Sequence, residues 1–253
     1  MRGFVRDRIN VLLHMAGYEL VRWEKRKRLQ DFLPLQETLA GAKAAGLSVG
    51  DYIDARHTET LGATQKTIDQ MAALGVFSER VERVCEIGPG SGRYLEKTLQ
   101  ACKPVYYEIY ETALEWSEYL SHVYKVKVQP CDGMSLGATS NQSIDLAHAH
   151  KLFIALPSFA VIRYFSEMTR VVRGGGKVVF DILTEECFDD PTLKRFFAAN
   201  VKDWSWTPNI MPKQFVVEYF DARGFALIGS FFVPLWPGKT NCMVFSKHSS
   251  QGG

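Results

Sequence analysis

Val84-Cys85-Glu86-Ile87-Gly88-Pro89-Gly90-Ser91-Gly92-Arg93-Tyr94 sets an apolar strand, an acid, three alternate glycines and a helix start in direct succession. Glycine permits positive φ and lets a ligand lie against main-chain atoms, so this turn reads as the floor of a site for a flat, partly polar molecule. Its spacing excludes two phosphate-binding loops. The fingerprint G-x-G-x-x-G needs a small residue where this chain has Arg93, and a P-loop needs Gly-Lys followed by Ser or Thr. Glu86 would repel a pyrophosphate but can hold a cationic amino group through charge-assisted hydrogen bonds. The expected ligand is therefore a zwitterion rather than a polyphosphate.

Outward from that turn, apolar runs alternate with helical patterns. Pro104 to Glu108 reads as a short strand ending in an acid, about twenty residues after the glycines, where a ribose with free hydroxyls is gripped. Ala113 to Val123 reads as a helix, Val126 to Pro130 as a third strand, and Ser143 to His150 as a fourth. Ser158 to Val172 follows as a helix, with a fifth strand over Lys177 to Ile182 whose unbroken apolar run suits a central parallel position. Residues 184–212 are rich in acids and aromatics, including Phe188, Phe196, Phe197, Trp204 and Trp206. Lys213 to Arg223 reads as the last helix, Phe225 to Leu235 and Thr240 to Ser246 as two strands joined by a turn, and the tail from Ser249 as disordered.

With these landmarks in order, E-x-G-x-G-x-G resembles the first motif of the class I S-adenosylmethionine-dependent methyltransferases, and the resemblance covers roughly residues 80 to 247. It implies a Rossmann-like seven-stranded, mostly parallel sheet with an antiparallel last strand, preceded by a helical N-terminal extension. Residues 1–76 would form that cover, residues 77–253 the methyltransferase domain, and residues 184–212 an insertion for the acceptor. The implied cofactor is S-adenosylmethionine, leaving as S-adenosylhomocysteine. Glu86, Gly88, Gly90 and Gly92 would hold its methionine portion, with Tyr94 opening the helix behind them. Glu108 would take the ribose, and Asp132 with the Gly133 backbone would face the adenine.

The end of the fourth strand narrows the reaction. Amino-methyltransferases of nucleic acid bases carry Asn/Asp-Pro-Pro-Tyr/Phe there, whereas this chain has His148-Ala149-His150-Lys151, so nucleic acid is not the expected partner. Residues i and i+2 share a strand face, so His148 and His150 would both point to the acceptor. Either could be the general base for a hydroxyl, packing is the competing role, and a metal held with Asp181 or Glu185 is a third reading. The His-Ala-His strand, Tyr18-Glu19-Leu20 and Phe231 to Trp236 are similar to methyltransferases associated with bacterial polysaccharide or glycolipid synthesis. The expected activity is O-methylation of a sugar, glycan or glycolipid precursor. Methylation of another small metabolite, or binding without catalysis, stand as alternatives.

Composition sets the remaining bounds. Residues 1–30 hold eight Lys/Arg against three acids, so the rest of the chain carries −3 of the overall +2 and offers no nucleic-acid surface. The apolar spacing of Val5, Ile9, Leu12, Leu13 and Ala16 predicts an amphipathic helix, and the basic run after it is either a solvated face or a peripheral contact with anionic lipid. Five separated cysteines read as reduced core thiols of a cytoplasmic protein, and no apolar run reaches membrane-spanning length. Leu35 to Ala45 reads as a second helix, Ser48 starts a third carrying Tyr52 and His57 as candidate pocket residues, and Thr64 caps a fourth.

Overall fold

The computed structural model describes residues 33–57, 61–198 and 208–249. The helix expected over residues 5–16, Tyr18 to Leu20, the basic run to Arg28, Trp204, Trp206, the last four residues and the His57 side chain lie outside the described residues.

Seven strands form one sheet: β1 (Arg83–Ile87), β2 (Tyr106–Tyr110), β3 (Lys127–Val128), β4 (Ile144–Ala149), β5 (Val172–Ile182), β6 (Phe225–Leu235) and β7 (Gly238–Lys247). Their order is β3-β2-β1-β4-β5-β7-β6. Neighbours from β3 through β5 are parallel, and β7 runs antiparallel between β5 and β6, as the resemblance implied. The chain order reverses beside β1, so the connections that follow β1 and β4 leave in opposite directions from their carboxyl ends, where open α/β sheets bind ligands.

Helices cover both faces. They are α1 (Leu35–Ala45), α2 (Val49–His57), α3 (Ala63–Ala73), α4 (Arg93–Cys102), α5 (Leu114–Tyr124), α6 (Ser158–Val171), α7 (Asp190–Ala198) and α8 (Lys213–Asp221). On one face Cys85, Ala147, Val178 and Phe245 meet α6 and α8 through Phe165, Met168, Val216 and Phe220. On the other, Val84, Ile109, Leu146 and Val179 meet α3, α4 and α5 through Met71, Leu95 and Leu120. Because both faces are covered, β4 is buried along its whole length, and its apolar residues alternate between the two cores.

Local structure departs from the expected boundaries at several places besides the end of β2. β3 keeps only Lys127–Val128. β5 begins at Val172, because Arg173-Gly174-Gly175-Gly176 forms an irregularity within the strand, with Gly175 at φ 77, rather than a turn before it. Thr64 does not cap α3: Gly62 stands there, and both the N–H and the hydroxyl of Thr64 donate to buried Asp54, at 2.8 and 2.7 Å, which binds α3 to α2. The Ser48 start is as expected, its hydroxyl accepting from Asp51 N at 3.1 Å.

Phe220 is a central weight-bearing contact of the α8 face, its ring stacked on Phe245 at 4.4 Å and edge-on to Phe165 at 5.2 Å. Phe220→Ala leaves an aromatic-sized void and is expected to lower unfolding free energy by about 3–5 kcal/mol in urea titration. A loss below 1 kcal/mol would remove it from that role.

Candidate active site

The glycine turn is tied to the end of β2. Gly88 N donates to the Tyr110 carbonyl at 2.8 Å, and Gly90 N donates to the Glu111 carboxylate, also at 2.8 Å. Gly88 has φ 62 and lies so near Leu152 that an added Cβ would sit 2.9 Å from that side chain; Gly92, at φ 79, lies closer still against Leu120. Side chains are excluded here by both conformation and space.

Glu111, not Glu108, is the acid at the carboxyl end of β2. The strand runs on to Tyr110, leaving Glu108 in its middle and 2% exposed, with its oxygens accepting from Tyr106, Gln129 and Thr139. The expected ribose contact is corrected on that ground, since a side chain locked beneath the sheet cannot face a ligand above the strand ends. Glu111 is half-buried, accepts from the N–H groups of Gly90 and Ala113, and has its carboxyl raised above the usual range by burial. The available signal was the length of the apolar run: Ile109 and Tyr110 continue β2, and the helix starts three residues after Glu111.

Glu86 lies beneath the turn rather than open above it. It is 1% exposed, accepts from the Tyr107 hydroxyl at 2.6 Å, and has its pKa pushed up to about 8 by burial, so its carboxyl is protonated at neutral pH. The Tyr107 oxygen in turn lies 2.9 Å from His148 Nε2. Nδ1 of that ring has no partner. Burial holds His148 well below its ordinary pKa, and a neutral ring 4.0 Å from a neutral carboxyl makes no ion pair. Glu86 thus presents no anion to a cationic amino group, and His148, 0% exposed, is corrected from candidate base to a member of this buried chain.

His148 and His150 do share one face of β4, with ring centroids 5.3 Å apart. His150, 6% exposed, stacks on Tyr94 at 4.0 Å, and neither of its ring nitrogens has a partner. Burial lowers its pKa to about 4, against the opposing pull of Asp181, so it is neutral at pH 7 and able to accept a hydrogen bond. Tyr94 is buried as His150's stacking partner, and burial raises its hydroxyl pKa.

Beside His150, buried Asp181 accepts from Lys151 N at 2.6 Å and from the Thr240 hydroxyl at 2.6 Å, and lies 3.1 Å from the Lys151 ammonium. Burial opposes its ionisation, but Lys151 and then His150 hold its pKa below the usual value. No group of three or more His, Cys, Asp and Glu among the described residues is placed to hold a metal ion. Glu185 instead accepts from Lys213 N at 3.0 Å.

Asp132 is exposed and caps its own turn, accepting from Met134 N, Ser135 N and the Ser135 hydroxyl, which lowers its pKa. Gly133 beside it takes φ 77. Tyr52 packs on Gly41 of α1 and accepts from Arg56 at 2.8 Å, linking α1 to α2. A cavity of about 250 Å³ opens past the carboxyl ends of β5 and β6, between α7 and the β6–β7 hairpin.

Sheet order and glycine turn together define the class I S-adenosylmethionine-dependent methyltransferase fold. Residues 85–180 match the family model described as a methyltransferase domain. The protein is accordingly an enzyme of the methyltransferase class rather than a non-catalytic module, and its cofactor is S-adenosylmethionine. An O-methyltransferase family protein from Burkholderia thailandensis is 15% identical, with a TM-score of 0.58 over 86% of this chain and 68% of that one. Magnesium protoporphyrin IX methyltransferase from Synechocystis PCC 6803, solved with bound S-adenosylhomocysteine, is 11% identical with a TM-score of 0.57, over 98% of this chain and 100% of that one. A complex from Haloferax volcanii of a methyltransferase activator with a putative methyltransferase gives 13% and 0.57, over 85% and 97%. At these identities the likeness is one of fold. No curated protein matches the sequence.

Protonated Glu86 makes a testable contribution to stability. The unfolded chain releases its proton near pH 4.5, while the folded chain keeps it until about pH 8, so this group destabilises the fold increasingly across that window. The stability of Glu86→Gln relative to the unsubstituted protein should therefore rise from pH 4.5 to 8 in paired denaturation curves. A difference independent of pH would refute the protonated carboxyl.

Proposed function

We propose that this methyltransferase acts on an oxygen nucleophile, a hydroxyl on a glycan or glycolipid precursor, with the cofactor above the carboxyl ends of β1, β2 and β3. The carrying observation is the half-buried Glu111 carboxylate bonded to Gly90 N, which joins an acid to the glycine floor. The residues fit the cofactor: the backbone from Gly88 to Gly92 would hold its methionine portion, Glu111 would accept from the ribose hydroxyls, and Asp132 with Gly133 would border the adenine. Asp132 has this role by its position after β3 and retains lone pairs beyond those that cap its turn. Bound there, the cofactor supplies a methyl group on a sulfonium, an electrophile that needs chiefly alignment with its acceptor.

His150 is the residue proposed to meet the acceptor. Its two unpartnered nitrogens are neutral at pH 7, so one can accept the hydrogen of an acceptor hydroxyl and orient the oxygen. With a pKa of about 4 it is a weak base, so orientation outweighs proton removal in its contribution. Methylation of another small metabolite is the second reading, favoured by the apolar lining of the cavity near β5. The five cysteines are all free, which supports a reducing compartment such as the cytoplasm. No helix among the described residues is long and apolar enough to cross a membrane.

Calorimetric titration is expected to show S-adenosylmethionine and S-adenosylhomocysteine binding, with NAD as a silent control. Glu111→Ala should weaken both by about 10- to 100-fold, the range of a lost hydrogen bond to a charged group; unchanged affinity would remove Glu111 from the site. His150→Ala should lower kcat by about 100-fold while S-adenosylhomocysteine affinity stays within twofold. Full turnover by that variant would end the proposed role of His150.

A further inference from the structure

The cavity of about 250 Å³ beyond β5 is walled by Leu183, Phe188, Leu193, Phe196, Leu235 and Trp236. Leu183 follows Asp181 by two residues, and Gly238 and Lys239 on its rim directly precede Thr240. Residues of the cavity wall and rim are thus chain neighbours of the Lys151–Asp181–Thr240 cluster, whose own side chains do not line it. Asp181 continues the β4–β5 register, in which Ala149 pairs with Phe180, so it stands beside His150. Adjacent strands are about 4.8 Å apart, so the carboxyl end of β5, past which the cavity opens, lies one strand spacing from the β4 end that carries His150.

We infer that this cavity holds the alkyl or acyl tail of an amphipathic acceptor, whose polar end carries the oxygen methylated beside His150. The inference rests on the oxygen-methyltransferase reading and narrows it to lipid-linked acceptors. The wall is mainly hydrocarbon and aromatic side chains, and its polar side chains are engaged: Lys239 pairs with Asp189 at 2.8 Å, and Thr192 Oγ1 accepts from Arg195 Nη2 at 3.5 Å. A bare sugar entering it would lose its hydrogen bonds to water without replacement. A hydrocarbon chain loses none, and apolar cavities of about 150 Å³ already take benzene, so this one admits a longer group. Phe197 and Trp236, 71% and 44% exposed, leave an apolar approach from solvent. The space is concave and too small for a helix or strand of a partner protein, which favours a small-molecule tail.

The probes are n-octyl β-glucoside, kept below its micelle concentration, and methyl β-glucoside, each titrated into the full chain saturated with S-adenosylhomocysteine. Each buried methylene multiplies affinity about fourfold, so the octyl compound is expected to bind at least about tenfold more tightly. Leu193→Glu places a charge in the cavity and should reduce octyl binding about tenfold or more, Leu193→Met should retain it, and both should bind S-adenosylhomocysteine as the unsubstituted protein does, which reports an intact fold. Equal affinity for the two glucosides, or octyl binding indifferent to Leu193→Glu, overturns the tail site and leaves the cofactor reading standing. Failure of the unsubstituted protein to bind S-adenosylhomocysteine overturns both.

Discussion

The glycine turn after β1 is held to the end of β2 by two hydrogen bonds, Gly88 to the Tyr110 carbonyl and Gly90 to the Glu111 carboxylate. The site depends on this join. It sets the turn against the neighbouring strand, fixes Glu111 beside the main-chain atoms of the turn, and starts α4 where its first turn covers His150. The positive φ angles at Gly88, Gly90 and Gly92 make the close approach sterically accessible. The same crowding lets Leu152 and Leu120 pack directly against backbone, so the turn is rigid because it is packed as well as bonded.

Beneath that turn the protein keeps a polar chain uncharged. Glu86, Tyr107 and His148 are buried together, and burial moves the acid up and the imidazole down, so each rests in the form that needs no counter-charge. A hydrogen-bonded neutral chain avoids the desolvation cost that an ionised buried pair would carry. One strand further, Asp181 follows the opposite logic. It stays ionised because Lys151 supplies both a backbone N–H and an ammonium, and Thr240 completes its hydrogen bonding. The strand ends thus lie between a neutral polar chain under the glycine turn and a charged cluster beside His150.

That asymmetry bears on the chemistry. His150 sits between the two with both nitrogens unpartnered, stacked on Tyr94 and close to the Asp181 cluster. Its neighbours immobilise the ring without consuming its hydrogen-bonding capacity, an arrangement suited to orienting an acceptor rather than to storing a proton. Beyond the cluster the lining turns wholly apolar, so a molecule crossing the site would pass from a polar reacting end to a hydrocarbon body.

Much of this was legible in the chain itself. The E-x-G-x-G-x-G turn, the unbroken apolar β5 run and the hairpin after Gly224 carry short-range signals, glycine conformation and strand periodicity, which are local properties of residues; they determined the fold class and the position of the glycine turn within it. The i, i+2 spacing likewise put His148 and His150 on one face of β4. What that face touches was decided only by packing: His148 is buried against Tyr107 and Glu86, while Tyr94 of α4 stacks on His150 and leaves its nitrogens without partners. Whether β2 ended at Glu108 or continued to Tyr110 was settled by pairing with β1, which moved the strand-end acid to Glu111. Burial, protonation state and the apolar cavity exist only where distant segments meet, so the sequence determined the frame of this enzyme while the tertiary structure decided which of its polar groups are free to act.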